Sequence, residues 1–450
     1  MSRSLSFLFS LMMISLPALA QKEDDIIQGS FGGVFNQLNK DIGDVPGNRY
    51  WGDFNFQFYK NLPDEFEKKF SFSAQTNDQS LTQYSLQEAY FTKKSVFKKW
   101  NETSQTGDSL RMGRQILPWS MTDSVWGFGK LNNRINFNFF LPGQEGLFGF
   151  TYQNRSRNGF FWRVFVSPIY IPETNPSLDI DKKNKTISSR TPWGNPPPRQ
   201  AEVNPGNWYP IQYNINYPDI VDVINRPSAA FNLGIETRNW VLDGFWIRKP
   251  ENQISTDVEI SVDFGDQVVN AQIDPKFYYH DVFGGNLKYR NANWDMYVSG
   301  IASFPNTFPD QPDVRVLQYT QIQTEKKREA YGGGGISYAN DINGFGFNYV
   351  ARLSAFDRQK DALVQEPRWN QAVNFFVMRN FTRSLKITAD LKYDTMTTDR
   401  LSMIQALYSV SADLLMSFGV NMIGTPESGK SYWSPYTNND AVYASMRYIF

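Results

Sequence analysis

Cysteine is absent from this 450-residue chain, and histidine occurs once. Without cysteine there is neither a disulfide framework nor a lipid-modified N-terminal cysteine. With a single histidine, the remaining metal ligands are carboxylates and carbonyls, which suit calcium rather than zinc; no metal or other cofactor is expected. Long apolar runs are also missing, since nothing after the N-terminus supplies the roughly 20 apolar residues that a spanning helix needs. Nor is there an excess of either charge: 45 basic residues stand against 45 acidic ones, which gives no reason to expect a nucleic-acid partner.

The one sustained apolar run, Leu5 to Leu16, follows Arg3 and precedes the small-residue triplet Ala18-Leu19-Ala20. It is too short to span a bilayer and has the order of a secretory signal, with cleavage after Ala20 (Ala18 and Ala20 being the small residues) and Gln21 opening the mature chain. Residues 1–20 are therefore expected to be removed. Losing Arg3 and no acid takes 45 basic residues to 44 against 45 acidic.

Aromatic residues are abundant, with 36 Phe, 23 Tyr and 12 Trp, yet mean hydropathy is −0.48. A large barrel reconciles the two, because its outside is apolar, its lumen polar and its interfaces girdled by rings. Period-two alternation supports it. Leu385, Ile387, Ala389, Leu391 and Tyr393 alternate with Lys386, Thr388, Asp390, Lys392 and Asp394. Val258, Ile260, Val262 and Phe264 interleave with Asp257, Glu259, Ser261 and Asp263, as do Phe54, Phe56 and Phe58 with Asp53, Asn55 and Gln57. Turn-rich clusters such as Arg157-Asn158-Gly159, Gly284-Gly285 and Asn340 to Gly344 separate the runs. About 20 strands are expected, in the range of about 16 to 22.

The last ten residues carry the sharpest local signal. Val442, Ala444, Met446, Tyr448 and Phe450 share one face, Ala441, Tyr443, Ser445, Arg447 and Ile449 the other, and the chain stops on the aromatic Phe450. This resembles the C-terminal assembly signal of Gram-negative outer-membrane β-barrels, with Met446, Tyr448 and Phe450 as its apolar face. The resemblance implies an all-β, antiparallel up-and-down transmembrane barrel over residues 21–450. It implies a porin-like protein of the outer membrane that meets lipid, lipopolysaccharide and the barrel-assembly machinery, forms a homotrimer as many porins do, and passes small polar solutes or ions.

Charges on the polar faces are the candidates for lining such a pore, where they tune selectivity: Arg111, Arg114 and Asp123 in the Ser109–Asn133 stretch, then Arg134, Arg163, Asp257, Glu259, Asp263, Lys386, Asp390 and Lys392. Their bland alternative is mutual pairing in a crowded wall. Tyr50-Trp51, Trp240, Trp294, Trp369 and Tyr432-Trp433 are read as interface girdles. Ten of 24 prolines fall between Ile171 and Pro227, so this segment is a long connection that either enters the lumen or stays at the surface.

Catalysis is not expected. Asp281 follows His280 directly and so points to the opposite face of a strand, which spoils a Ser-His-acid arrangement. Gly332 to Gly335 lacks the Lys-Ser or Lys-Thr of a phosphate loop and suits a close approach in a strand. The expected function is passive passage of small polar solutes, with a closed or plugged barrel acting as receptor, adhesin or assembly component as the alternative.

Overall fold

Alternating apolar and polar residues leave each strand one face for lipid and one for the interior, and only a closed sheet then satisfies every backbone amide in hydrocarbon. The computed structural model has this form. It describes residues 25–38, 48–62, 66–77, 81–96, 107–140, 143–173, 178–306, 314–316, 319–322, 327–354, 367–426 and 431–450. Eighteen antiparallel strands make the wall, from Asp25–Leu38 to Ala441–Ile449, and these two pair with each other to close it. The number is even and lies inside the expected range. Among the described residues no helix is long and apolar enough to cross a membrane. The expected signal segment, with Ala18, Ala20 and Gln21, lies outside the described residues.

Burial follows the alternation. In Ser228–Glu236, Ala230, Asn232 and Gly234 are buried while Phe231, Leu233 and Ile235 are exposed on the outer face. Leu242, Phe283, Val298, Phe375, Val377 and Phe418 extend that exposed apolar surface around the wall, as a lipid-facing belt requires. Met446 and Tyr448 lie on it too. Phe450 exchanges backbone hydrogen bonds with Gly29 in the first strand, 2.9 and 3.0 Å.

The two rims differ. Turns 156–159, 237–239, 291–293, 340–342, 381–384 and 410–413 are short and share a rim with the start of the first strand and the end of the last. The opposite rim carries the long connections 116–146, 168–227, 251–278, 353–370 and 425–440. Strands from 168–227 and 251–278, with Val314–Val316 and Tyr319–Ile322, assemble a six-stranded sheet outside the wall, in which Asn207–Ile215 runs parallel to Val268–Lys276. Most of the proline-rich segment therefore lies at the long-connection rim; among its described residues only Trp193 joins the buried cluster of the lumen.

Several expectations need correction. Asp257, Glu259 and Asp263 belong to Ser255–Asp263, a strand of the outer sheet and not of the wall, so they do not line the barrel. Period two identifies a strand without saying which sheet it joins. Gly284-Gly285 is not a turn but the middle of Tyr279–Arg290, where a Cβ on Gly284 would strike the Phe245 ring at 2.3 Å. Trp51, Trp369 and Trp433 are buried and face inward, whereas Tyr50 and Trp240 are exposed as a girdle requires.

Candidate solute conduit

The lumen is divided by residues 116–146, which leave the wall after Gln115, fold inward and return at Leu147. Local chemistry shapes this segment. Ser120 caps the short helix Met121–Trp126, its hydroxyl accepting from the Asp123 amide at 3.1 Å, and Gly127 ends it at φ 62°, the left-handed conformation that glycine tolerates best. The Asp123 carboxylate accepts from the Lys130 and Leu131 amides, each at 2.9 Å, folding the following loop back on the helix. Burial holds this carboxyl above its ordinary range, against the two amide bonds that lower it.

The wall grips the segment at many points. Asn286 accepts from the Met121 amide at 2.9 Å and donates to the Trp119 carbonyl at 2.7 Å, while Thr122 donates to the Ser299 carbonyl at 3.1 Å. Arg114 bonds Glu145 at 2.8 Å and the Gly146 carbonyl at 2.9 Å. Arg134 pairs with Glu173 at 3.2 Å, and Asn136 donates to the same carboxylate at 2.7 Å. Aromatic packing completes the anchorage: Phe128 stacks on Tyr331 at 4.1 Å, Trp126 meets Trp369 edge-on at 5.8 Å, and Phe139 packs between Trp193 and Tyr436, each at 4.9 Å. Inward residues Phe165, Phe245, Ile247, Val282, Ile301, Val350 and Leu401 share this dry cluster. One side of the lumen is thus filled like a protein core.

The other side is open, with a lining that mixes polar and apolar side chains. A cavity of about 500 Å³ lies between the inserted segment and the first four and last three strands, where Asp53, Asn55, Gln75, Gln87, Gln405, Ser417, Asn421, Ser445 and Arg447 alternate with Val34, Trp51, Ile135, Phe137, Trp193, Met403 and Leu415. It adjoins a second cavity of about 410 Å³ that shares Asn55, Gln87, Leu415 and Arg447 and reaches Gln28 and Ile449 near the short-turn rim. A third, of about 390 Å³, contains Arg383, Lys386 and Leu415 at that rim. Among the described residues, the only charged side chains of the first cavity are Asp53 and Arg447, hydrogen-bonded at 2.6 Å.

At the long-connection end this route meets a cap. The Arg190 carbonyl accepts from Arg49 at 3.2 Å and from Asn77 at 3.0 Å, and the Pro192 carbonyl accepts from Asn439 at 2.8 Å. Trp193 is held beneath them among Phe139 and Tyr436.

The charges singled out in the sequence divide accordingly. Arg111 faces the interior, stacked over Tyr90 at 4.2 Å and bonded to Thr92 at 3.2 Å. Arg163 bonds Gln153 at 2.9 Å and Asn232 at 3.4 Å on the inner face. Arg114, Asp123 and Arg134 are consumed in fastening the inserted segment. Lys386 borders the short-turn mouth, and Asp390 accepts from Asn374 at 3.0 Å on the inner face of the same strand as Lys392. Asp53 and Arg447 were not singled out, although both stood on polar faces of alternating runs.

His280 is 2% exposed, and its Nδ1 lies 3.1 Å from the Ser303 hydroxyl on the neighbouring strand, itself 3% exposed. Asp281 faces the other way and accepts from the Trp246 indole at 3.0 Å. The His280–Ser303 pair lies on the inner face of the wall and borders a cavity of about 100 Å³. No group of three or more His, Cys, Asp or Glu suited to a metal occurs among the described residues.

No protein-family model matches the chain, and no curated protein matches it. Solved structures similar in outline include Salmonella typhi OmpF in complex with daunomycin, at 9% identity and TM-score 0.43, covering 95% of this chain and 97% of that one. A triple mutant of the Rhodopseudomonas blastica porin is similar at 8% identity and TM-score 0.37, covering 95% of this chain and 100% of that one. The strand pairing itself carries the fold: a closed antiparallel barrel of eighteen strands.

Proposed function

We propose that the mature protein is a passive conduit for small polar solutes in the outer membrane of a Gram-negative cell, its long connections facing outward. The observation that carries this reading is the run of adjoining cavities beside the inserted segment, which lead to the short-turn rim. Amide and hydroxyl linings replace the hydration of a passing solute, and an internally compensated Asp53–Arg447 pair favours neither sign of charge strongly. In this reading the chain is exported through a cleaved signal, inserted by the barrel-assembly machinery, surrounded by lipid and lipopolysaccharide, and assembled as a homotrimer; it has no catalytic role.

One observation favours a closed receptor or adhesin instead: the cap at Arg190–Trp193, hydrogen-bonded across the long-connection mouth. Single-channel recording in a planar bilayer separates the two. Stepwise conductance is the expected result. Protein that inserts as heat-resistant β-structure and passes no current would overturn the conduit and leave the closed barrel.

A further inference from the structure

On the long-connection side of the inserted segment lies a smaller cavity of about 100 Å³. Five cationic side chains line it, Lys130, Arg134, Lys327, Arg352 and Arg368, against three carboxylates, Glu173, Glu251 and Glu329. The pairs are unequal. Arg134 has Glu173 at 3.2 Å, Arg352 has Glu329 at 3.8 Å, and Lys130 also bonds Glu329.

Among the described residues Arg368 forms no ion pair with a carboxylate, and Glu173 acts on it only from a distance. It is 8% exposed, its Nη1 donates to the Gly127 carbonyl at 2.8 Å, and its Nε is buried without a partner. Its guanidinium lies 5.0 Å from the Trp433 ring centre and 5.8 Å from that of Tyr432. Buried charges are ordinarily compensated by a counter-charge, because removing them from water is costly. The contrast with Arg134 bears this out. Burial opposes both cations, yet Glu173 holds Arg134 above its ordinary value, whereas burial pulls Arg368 down to about 10.

We propose that this cavity binds a small oxyanion such as phosphate, with Arg368 as its principal ligand. A guanidinium offers a planar fork to such oxygens, and the aromatic faces behind Arg368 hold that fork in place. The volume suits a free anion or the head of a small solute and leaves no room for an acyl chain. The site does not depend on conduction, so a barrel that passes no current tests it equally well.

The experiment is calorimetric titration of the full mature protein in neutral detergent with inorganic phosphate, against sodium chloride at matched ionic strength. Expected are saturable phosphate binding at least about tenfold tighter than chloride, and at least about a tenfold loss in R368K, which keeps the charge and removes the fork. Phosphate binding no tighter than chloride, or R368K binding phosphate as well as the parent, would overturn the proposal. A response to purified lipopolysaccharide with none to phosphate would overturn it as well. The wild-type comparison decides the matter even where R368K does not fold.

Discussion

Asp53 and Arg447 meet at 2.6 Å across Gly32, the residue of the first strand that stands in register with both. A Cβ on Gly32 would lie 3.0 Å from the Asp53 carboxylate and 2.7 Å from the Met446 carbonyl. The seam that closes the barrel therefore also places the charged pair that lines the adjoining cavity.

Removing one partner of that pair should expose the other to passing ions. Arg447→Gln is expected to shift the conduit toward cations and Asp53→Asn toward anions, read as reversal potentials of opposite sign under a salt gradient. Unchanged reversal potentials in both variants would place the current path elsewhere.

The inserted segment is anchored through Trp126, which is 1% exposed. Trp126→Ala should cost about 3–5 kcal/mol, seen as a lower urea midpoint in micelles. Where the barrel still inserts, conductance should rise, because the loosened segment occupies the lumen less completely. Equal stability would mean that the segment is not held by this contact.

The cap at Arg190–Pro192 is held by Arg49 and by two amide side chains, Asn77 and Asn439. The double variant N77A/N439A is expected to raise the open fraction of single-channel records and leave heat resistance of the barrel unchanged. A closed fraction identical to the parent's would show that these bonds do not hold the mouth.

Closure rests on Gly29 and Phe450, whose ring lies where a side chain on Gly29 would project, at 2.3 Å from an added Cβ. Gly29→Val should destabilise the barrel by about 1–3 kcal/mol through overpacking. Combining it with Phe450→Ala should cost less than the sum of the two single changes, because the smaller residue vacates the contested space. Strict additivity in urea unfolding would disprove the steric account.

Much of this architecture was legible along the chain because period two is a local property. Leu385–Asp394 shows its two faces in ten consecutive residues, and the terminal run from Ala441 does the same. Alternation also led astray where it was read beyond its reach. Ser255–Asp263 alternates as cleanly as any wall strand, yet pairs with Val268–Lys276 outside the wall. Trp369 and Trp433 stand near strand ends, as girdle residues do, but pack 5.2 Å apart within the lumen.

What the residue order determined by itself was the strand content, the lipid face and the aromatic closing strand, since each depends on residues one or two positions apart. Which polar residues share a cavity depended on the tertiary structure. Asp53 and Arg447 are 394 positions apart and become neighbours only when the sheet closes. The inward fold of 116–146 likewise rests on distant partners, Asn286, Ser299 and Arg368, whose side chains replace the water that a polar loop would otherwise keep.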